Sequence, residues 1–594
     1  MCGIVGYTGQ KEAQPVLLKA LGRLEYRGYD SCGIAVAGRG MGIYKNAGRV
    51  EALVEAIPAL GGWRGIGHTR WATHGEPSQE NAHPHTDCSG RYAVVHNGVI
   101  TNYQALREEL VQAGHRFSSE TDTEVIPHLI ESYYEGSLEE AVRGALARLE
   151  GSYAIVVMGQ EDETLVVAKQ GSPLVIGLGE GENMIASDIT PLLDCTNRVV
   201  YLEDGEMAAI TARGVRVTRD GRAVEKAVSV VDWSTEDVQK CGYEHYMLKE
   251  IHEQPRVVKA ALEGYSFQEA PLMGAEFMAD KGARGLLILA CGTSYHAGLI
   301  AKYVIEELLD IPVRVELASE VNHRERVIPV ADAIAITQSG ETADVLISMK
   351  KLMQAGCFTL AITNVKGSSA SRLATRTLYT QAGPELSVAA TKSFTAQLIE
   401  LYKLVLLQPA VSRQLKQQLN IELKLLPEYV QRVLDNTEQV RECARQISGA
   451  LHLFYIGRGI NYPVALEGAL KVKEISYIHA EGYAAGELKH GPFSLLQADT
   501  PVVAIVNRDF TYEAMLTNIK EIKSRKAPVA ALVREDDRET EKLVDIAIKV
   551  PAVHSLLSPI VNVVALQLLA YYTAKERGCP IDFPRNLAKS VTVE

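Results

Sequence analysis

The feature that most constrains the fold of this 594-residue chain is a pattern of apolar runs that end in polar turns, present twice in its second half. The first copy has runs at residues 286–290 and 333–337, and the second copy has runs at 451–456 and 502–506. Segments with helical periodicity separate the runs, which is typical of βαβ units around a parallel sheet. The weak repeat predicts two similar α/β halves, and the charged, Leu-rich segment 414–444 predicts helices that join them.

The region from Met1 to about Val230 has a different character. It consists mostly of short β-like runs between turn signals, for example at residues 33–36 and 153–158. A polar stretch begins at Asp232, and helical periodicity follows it. We therefore expect a domain boundary between residues 236 and 248.

Composition and charge exclude several classes of partner. Hydrophobic residues make up 47% of the chain and charged residues 23%, the balance of an ordinary soluble globular protein. A net charge of -12 without a basic cluster argues against a nucleic-acid partner. The most apolar helical segment, 556–572, is interrupted by Pro559, Asn562 and Gln567, so it predicts a buried helix and no membrane span.

The cysteines point to a reducing compartment. All nine are scattered and none forms a C-x-x-C pair, which argues against a disulfide framework or a zinc site. His83 and His85 lack a further ligand at metal-binding spacing and are expected to lie in a loop. The N-terminus also lacks the segments of a signal peptide. We expect a cytoplasmic protein with no metal and no nucleotide cofactor.

Cys2 is a candidate nucleophile because of its position. Removal of Met1 would place a thiol and a free α-amine on one residue. An α-amine titrates near pH ~8 and a thiol near ~8.5, so the amine can take the thiol proton directly or through one water. Position alone is more typical of a chance cysteine at the start of a buried strand.

Polar clusters in the first part of the chain supply what an amide-cleaving cysteine needs. An oxyanion needs N–H donors aimed at it, and the Asn97 side chain with the Gly98 backbone offers two. An amino-acid substrate needs a cation for its carboxylate and an anion for its amine, for which Arg70 and Asp122 are candidates. Taken singly, these are residues of turns and surfaces, and Trp71 is a core residue.

As an ordered set, six segments resemble the glutaminase domain of N-terminal-nucleophile amidotransferases: 2–6, 27–31, 68–76, 81–84, 96–98 and 119–124. The resemblance implies a glutamyl thioester on Cys2 and an oxyanion hole formed by Asn97 and Gly98. It also implies that Trp71 gates the exit of ammonia. The residues implied to bind glutamine are Arg27, Arg70, Thr73, His74 and Asp122.

Hydroxyl-rich loops in the second half predict an anion site. In the loop that ends with Thr342, an apolar run stops, Gly340 permits close approach and a helix begins. Thr293 and Ser294 form a second such turn. One loop of this kind is more often an N-capped helix, whereas two in one half favour a phosphosugar cradle.

Four residues could perform sugar chemistry. A lysine can form an imine with a ketone, and a carboxylate can move a proton between adjacent carbons. The candidates are Lys471, Glu474, His490 and the tail residue Lys589. From periodicity alone, Lys471 and Glu474 form one polar helix face, and a tail lysine is solvated.

Over essentially its whole length the chain resembles the glutamine:fructose-6-phosphate aminotransferase family. The resemblance implies that Lys589 forms the imine, that Glu474 assisted by Lys471 shifts a proton between C1 and C2, and that His490 helps open the ring. It implies a homodimer in which the histidine loop reaches the neighbour's sugar site, with glutamine and fructose 6-phosphate as substrates. The residues implied to hold the sugar phosphate are Thr293, Ser294, Thr337, Gln338, Ser339, Thr342 and Val388.

The chain departs from the family pattern at three places. Thr337 stands first in a loop that often reads Ser-Gln-Ser-Gly-Glu-Thr, which keeps a hydroxyl. Ala390 stands where the pattern Val-Ala-Ser-Thr-Lys has its serine, so this chain lacks that hydroxyl. Residues 579–583 also differ from the usual approach to the tail. The change at Ala390 predicts either altered sugar affinity or a sugar contact made by another residue.

The expected fold class is α/β. An α+β N-terminal-nucleophile αββα sandwich over residues 1–238 is followed by a linker at 239–248. Two doubly wound parallel-sheet sugar isomerase (SIS) subdomains then span 249–425 and 426–584, and an active-site tail spans 585–594.

Other function classes stay open. An amidotransferase acting on phosphoribosyl pyrophosphate or aspartate would need a pyrophosphate loop or a Ser-Gly-Gly-x-Asp motif, and neither is present. A sugar-phosphate-binding regulatory protein would have no use for both the Cys2 cluster and Lys589. A deglycating or hydrolysing enzyme would not need a glutaminase half. Glutamine consumption that rises with sugar phosphate would distinguish an aminotransferase from all three.

Overall fold

The computed structural model describes residues 2–72, 74–263, 285–325 and 332–592. The chain forms two compact units. Unit 1 comprises Met1–Val238 with Ser590–Glu594, and unit 2 comprises Gln239–Lys589. The domain boundaries expected from the sequence stay predictions.

Unit 1 contains two antiparallel sheets. Its strands are β1 (Gly3–Thr8), β2 (Ser31–Ala37), β3 (Met41–Ala47), β4 (Arg64–Arg70), β5 (His85–Thr86), β6 (Tyr92–Ile100), β7 (Gly151–Gly159), β8 (Leu165–Gln170), β9 (Val175–Leu178), β10 (Asn183–Ala186), β11 (Arg198–Tyr201), β12 (Glu206–Thr211), β13 (Gly214–Arg219), β14 (Arg222–Ala223) and β15 (Ser229–Val230). One sheet has the order β15-β11-β9-β10-β1-β4-β2-β3, and the other has the order β14-β13-β12-β8-β7-β6-β5. Its helices are α1 (Ala13–Gly22), α2 (Val50–Ala56), α3 (Tyr103–Gln112), α4 (Val125–Tyr133) and α5 (Leu138–Leu146).

The alternation of residues along the strands creates the layers of unit 1. Ile66 of β4 packs between the sheets with Val156 of β7, in a core of buried aliphatic residues. The neighbouring Gly65 and Gly67 lie on the opposite face of the strand, where a Cβ on either residue would contact a leucine of α1. The outer face of the second sheet packs against α3, α4 and α5. The predicted αββα sandwich is confirmed.

Unit 2 contains two parallel sheets. Its strands are β16 (Leu286–Ala290), β17 (Val313–Leu317), β18 (Asp332–Thr337), β19 (Phe358–Thr363), β20 (Arg376–Tyr379), β21 (His452–Gly457), β22 (His479–Ala484), β23 (Val502–Ile505), β24 (Val529–Arg534) and β25 (Ile546–Val550). The sheet orders are β17-β16-β18-β19-β20 and β22-β21-β23-β24-β25. Each half therefore has the strand order 2-1-3-4-5 of a doubly wound fold. This repeat confirms the prediction of two similar parallel α/β halves.

The helices of unit 2 cover and connect the two sheets. They are α6 (Tyr246–His252), α7 (Gln254–Leu262), α8 (Gly292–Leu309), α9 (Ala318–Asn322), α10 (Ala343–Gln354), α11 (Ser369–Leu373), α12 (Lys392–Leu406), α13 (Arg413–Asp435), α14 (Glu438–Ile447), α15 (Asn461–Ser476), α16 (Tyr512–Lys523), α17 (Arg538–Leu543) and α18 (Ser558–Glu576). The joining helices predicted over 414–444 are α13 and α14. Within the described ranges, one helical segment, Ser555–Glu576, is long and apolar enough to cross a membrane. Its apolar window is entirely buried, which confirms the predicted buried helix.

The loop predicted around His83 and His85 is only partly correct. His85 lies in the short strand β5, which pairs with β6, and both imidazoles are buried. The ring of His83 stacks on that of His68 with centroids 4.1 Å apart. Packing against the neighbouring rings, which spacing alone does not reveal, holds this segment in the core.

Candidate active sites

Cys2 directly precedes β1, and strand pairing brings it to the end of β4. Gly3 lies opposite Thr69 in that register, so Cys2 is next to Arg70 and Trp71. The backbone N–H of Trp71 donates a hydrogen bond to Cys2 Sγ at 3.2 Å. Burial raises the pKa of the Cys2 thiol, although the Trp71 N–H and the Arg70 guanidinium act in the opposite direction. The thiol is therefore protonated at neutral pH, and a nucleophilic role requires a base.

Asn97 on β6 points its side-chain amide at the same residue. Its Nδ2 donates to the backbone carbonyl oxygen of Cys2 at 2.9 Å. His68 Nε2 lies 3.0 Å from both Asn97 Oδ1 and the His96 carbonyl oxygen. Both of these atoms are acceptors, so Nε2 carries the proton, and burial lowers the pKa of His68 to about 3. A neutral His68 thus fixes which way the Asn97 amide faces.

Gly98 follows Asn97 in a conformation that requires glycine. Its φ is +137°, and a Cβ added there would lie 2.0 Å from the carbonyl oxygen of Ser152. This backbone geometry sets the direction of the Gly98 N–H, the second donor expected for an oxyanion.

Arg70 and Asp122 are both buried in unit 1. The Arg70 guanidinium donates to the backbone carbonyl oxygens of His74, of Gly75 at 3.0 Å and of Glu76 at 3.2 Å. Burial lowers the pKa of Arg70. Asp122 Oδ2 accepts the Ile100 N–H at 2.8 Å. Arg70 therefore organises the segment that carries His74, whose ring lies edge-on to Tyr103.

The remaining residues expected to bind glutamine or gate ammonia have mixed outcomes. Thr73 lies outside the described residues. The Trp71 ring packs edge-on against Tyr29, with centroids 5.6 Å apart. Arg27 is only 3% exposed and pairs with Asp188 at 2.8 Å. Burial alone would lower the pKa of Arg27, but the Asp188 carboxylate raises it, so the guanidinium stays charged.

The first sheet of unit 2 has a topological switch point between β16 and β18. The chain continues from β16 to β17 on one side and from β18 to β19 on the other. Ligands bind outside the carboxyl ends of parallel strands at such a point. The predicted phosphate loop 338–342 follows β18 and leads into α10. Thr293 and Ser294, which the sequence predicted to form a turn after β16, lie instead in the first turn of α8.

The loop 338–342 is compact. Gly340 has φ +68°, and a Cβ there would lie 2.1 Å from Ser368 Oγ. The hydroxyls of Thr337 and Thr342 lie 3.1 Å apart. Ser339 Oγ accepts the backbone N–H of Glu341 at 3.1 Å. The hydroxyls predicted to hold a phosphate are therefore held by one tight turn.

Lys471 and Glu474 on α15 form a buried charge cluster, where periodicity alone indicated a polar surface. Lys471 Nζ lies 2.6 Å from Glu474 Oε2 and 3.5 Å from Glu467 Oε1. Lys471 also donates to Thr293 Oγ1 at 2.9 Å, and Thr293 donates to Glu467 at 3.1 Å. Burial alone would lower the pKa of Lys471, but Glu474 and Glu467 raise it. The ammonium is thus held between two carboxylates.

Lys589 is not solvated, as a tail lysine usually would be. Its Nζ lies 2.5 Å from Glu385 Oε2, and the two side chains are 4% and 0% exposed. Glu385 also accepts hydrogen bonds from Thr391 and Ser393. Although burial opposes it, Lys589 and these donors lower the pKa of Glu385 to about 2. Glu385 is also one of the charges that raise the pKa of Lys471, so the two clusters are neighbours.

Four other predicted sugar-site residues are less closely grouped. Ser294 Oγ accepts from Gln397 Nε2 at 3.0 Å, and the Gln338 carbonyl oxygen accepts the Asn364 N–H. The Val388 N–H donates to the carbonyl oxygen of residue 582 at 3.4 Å. His490 lies at the end of a 3-10 turn and is exposed.

Sequence reasoning missed three buried groups that support these clusters. Glu385 pairs with Lys589, Glu467 completes the Lys471 cluster, and His68 orients Asn97. A fourth, Glu250, is fully buried and its carboxylate accepts the Leu386 N–H. Burial, followed by repulsion from Glu385, raises the pKa of Glu250 to about 8. A helical Glu467-x-x-x-Lys471 pair was a visible signal for one of them, whereas the others depend on long-range contacts.

Two domain families match this chain. Residues 68–194 match the glutamine amidotransferase domain, and residues 281–407 and 446–577 each match the SIS domain. The first match begins at His68 and does not include Cys2, so the role of Cys2 depends on the contacts described above. The two SIS matches coincide with the two parallel sheets of unit 2.

Full-length relatives and solved structures agree with these matches. The chain is 48% identical to a glutamine–fructose-6-phosphate aminotransferase (isomerizing) of Methanosarcina mazei and 49% identical to that of Methanosarcina acetivorans, covering 100% of both chains in each case. It is similar to the C-terminal domain of glucosamine-fructose-6-phosphate aminotransferase from Francisella tularensis, with 38% identity, a TM-score of 0.55 and coverage of 58% of this chain and 100% of that one. The chain therefore belongs to the glutamine–fructose-6-phosphate aminotransferase (isomerizing) family.

Proposed function

We propose that this chain converts glutamine and fructose 6-phosphate to glutamate and glucosamine 6-phosphate, the first step of hexosamine synthesis, with internal transfer of ammonia. The observation that carries the proposal is the presence of two different nucleophile sites on one chain. Unit 1 has a buried thiol beside an amide donor, and unit 2 has a buried lysine beside a second lysine–glutamate pair. The names of the full-length relatives support it.

In unit 1, Cys2 Sγ attacks the side-chain amide carbon of glutamine. The α-amine exposed by loss of Met1 takes the thiol proton. Asn97 Nδ2 and the Gly98 N–H stabilise the oxyanion, and the α-ammonium returns its proton to the amide nitrogen as the C–N bond breaks. Ammonia departs, and water hydrolyses the remaining glutamyl thioester to glutamate and the free thiol. Arg70 binds the substrate carboxylate and Asp122 its α-amine.

Four further residues complete the glutamine site in this proposal. Thr73, His74 and Arg27 contribute to binding, and Trp71 gates the exit of ammonia. The buried ion pair of Arg27 with Asp188 supports a fixed cation at this position.

In unit 2, the hydroxyl loops bind the phosphate of the sugar and His490 helps open its ring. Lys589 Nζ attacks the C2 carbonyl, and loss of water gives an imine. Ammonia replaces Lys589 at C2, and Glu474 moves the proton from C1 to C2 with the help of the Lys471 ammonium. The phosphate-binding set is Thr293, Ser294, Thr337, Gln338, Ser339, Thr342 and Val388.

We also propose a cytoplasmic homodimer. His490 is exposed, so its imidazole is open to contact by a second copy of the chain, which is compatible with this assembly. Because His490 then acts in the neighbour's sugar site, the isolated protomer would lack ring-opening activity.

A product balance tests the proposed reaction. Purified protein with glutamine and fructose 6-phosphate is expected to give equal amounts of glutamate and glucosamine 6-phosphate. The Cys2→Ala variant is expected to lose glutamine use and to keep amination with added ammonia. Cys195→Ala, which removes a partly buried thiol elsewhere in unit 1, is the matched control and should behave like the parent protein.

Two outcomes would contradict the proposal. Glutamate without amino sugar would show that the acceptor is misassigned, and other phosphorylated ketoses would then be screened because of Ala390. Unchanged glutamine use by Cys2→Ala would show that Cys2 is not the nucleophile. Intact mass measurement of the same sample checks whether Met1 is removed.

A further inference from the structure

Four side chains of unit 1 that the proposed reaction does not use meet at one point. They are Cys88 in the turn after β5, His115 after α3, and His128 with Glu131 on α4. One potential ligand atom from each lies within 4.8 Å of the other three. We propose that these four residues bind a structural zinc ion in unit 1.

The distances fit a tetrahedral site. Cys88 Sγ lies 3.8 Å from His115 Nδ1 and 3.7 Å from His128 Nδ1. Glu131 Oε2 lies 3.1 Å from His115 Nδ1 and 3.9 Å from His128 Nδ1. With Zn–S near 2.3 Å and Zn–N or Zn–O near 2.0 Å, ligand atoms of a tetrahedron are roughly 3.3–3.6 Å apart. Small side-chain adjustments therefore suffice to enclose the ion.

The chemistry of the four groups selects zinc. A thiolate, a carboxylate and two neutral imidazoles together carry the two negative charges that neutralise Zn²⁺. Mixed sulfur, nitrogen and oxygen ligands in a tetrahedral arrangement suit zinc, whereas Mg²⁺ and Ca²⁺ prefer oxygen ligands alone. On binding, the Cys88 thiol releases its proton to solvent.

The surroundings of the cluster give a second, independent observation. Glu131 Oε2 is buried and accepts no hydrogen bond, which leaves a carboxylate oxygen aimed at the shared point. His115 Nε2 lies 3.1 Å from Ser132 Oγ, and His128 Nε2 lies 3.8 Å from Glu124 Oε1. Both imidazoles thus turn Nδ1 inward. His115 Nε2 has an outer hydrogen-bond partner, as metal-bound histidines do, whereas His128 Nε2 is buried near Glu124 without a hydrogen bond.

An ion at this point would join three segments of unit 1. Cys88 precedes β6, which carries Asn97, and α4 begins shortly after Asp122. Metal binding would restrict the unfolded chain and hold these segments together in the folded unit. The zinc therefore supports the frame of the glutamine site without contacting the substrate.

C-x-x-C pairs and the His83/His85 pair, on which the expectation of no metal rested, do not include this cluster. His128 and Glu131 are three residues apart on one helix and lie on the same face. Cys88 and His115 come from separate turns, so their spacing carries no motif. Only the fold brings the four together.

Metal analysis of the full chain tests this proposal. After reconstitution with zinc and removal of excess metal, elemental mass spectrometry is expected to find one zinc per chain in the parent protein. Cys88→Ser is expected to lose it, whereas Cys241→Ser, which changes the other exposed cysteine of the described residues, should retain it. Ser132→Ala is expected to weaken zinc binding about 10–100-fold without abolishing it.

Cobalt substitution identifies the ligands independently of activity. The Co²⁺ form of the parent protein should show a thiolate-to-metal charge-transfer band and the intense d–d bands of tetrahedral geometry, and Cys88→Ser should lose the charge-transfer band. Removal of zinc from the folded parent protein by a chelator should lower its melting temperature, and added zinc should restore it. A parent protein that takes up no stoichiometric zinc, or a Cys88→Ser variant that retains it, would overturn the assignment.

Discussion

The two candidate nucleophiles, Cys2 in unit 1 and Lys589 in unit 2, are held in opposite ways. Cys2 is contacted by neutral groups, the Trp71 N–H and the Asn97 amide, and burial raises the pKa of its thiol. Lys589 forms a buried ion pair with Glu385. The chain therefore stores one nucleophile as an uncharged thiol and the other as a paired ammonium.

The two nucleophiles therefore need different routes by which to lose a proton. The Cys2 thiol needs a base close by, and the base we propose is the α-amine that loss of Met1 would expose. Lys589 must lose a proton before it can attack a ketone. Glu385, with a pKa of about 2, does not accept that proton at neutral pH, so it positions the lysine and another group takes the proton. A residue that orients a nucleophile need not be its base.

The largest expected effect is the loss of amination in Lys589→Arg. Arginine keeps a cation for Glu385 but cannot form the imine. Amino-sugar formation is expected to fall by at least about 10⁴-fold, as for removal of other enzyme nucleophiles, while glutamine hydrolysis persists. Lys575→Arg, at an exposed lysine of the same unit, should change neither activity. Amination retained by Lys589→Arg would show that Lys589 is not the sugar nucleophile and that its ion pair is purely structural.

Asn97→Ala is expected to have the second largest effect and to act on the other half. Loss of one oxyanion donor should lower kcat for glutamine hydrolysis about 10²–10³-fold and leave ammonia-dependent amination unchanged. If His68 acts only by orienting Asn97, adding His68→Ala to the Asn97→Ala variant should lower kcat for glutamine hydrolysis little further. Fully additive losses in the double variant would show that His68 has a separate role.

The smallest effect concerns the stability that the Glu385–Lys589 pair contributes. The pKa of Glu385 is lowered from 4.5 to about 2, so this stabilisation is present above pH 4.5 and is lost as the pH falls toward 2. The deficit in unfolding free energy of Glu385→Gln is expected to shrink by about 3 kcal/mol over that interval, by proton linkage. Chemical unfolding of the full chain at several pH values measures it. Glu576→Gln, at an exposed glutamate, should show no such trend. A deficit of Glu385→Gln that does not change with pH would show that the ion pair does not stabilise the folded chain.

Much of the fold followed from the sequence because local patterns specify it. Apolar runs separated by segments of helical periodicity predicted both parallel sheets, and β16 has the predicted bounds of residues 286–290. The helix at Ser558 was predicted to be buried from its Pro and amide residues. These features depend on short-range periodicity and turn chemistry, which a single sequence displays.

The side chains that support the sites could not be predicted in the same way. Glu385 and Lys589 are 204 residues apart in sequence. His68 contacts Asn97 because β4 of one sheet packs against β6 of the other. The cluster at Cys88 joins three segments with no common motif. Such contacts arise from the tertiary fold, so a single sequence displays the local patterns of strands and turns but not these long-range supporting contacts.

Peptide mapping after borohydride reduction tests most directly the claim that the chain has a separate sugar nucleophile in unit 2. The full chain would be incubated with fructose 6-phosphate, reduced to trap any imine, digested and examined by mass spectrometry. We predict one hexose phosphate adduct, on Lys589, which is absent in Lys589→Arg and present in Cys2→Ala. An adduct on Lys471 or another lysine in place of Lys589, or no adduct in the active parent protein, would contradict it.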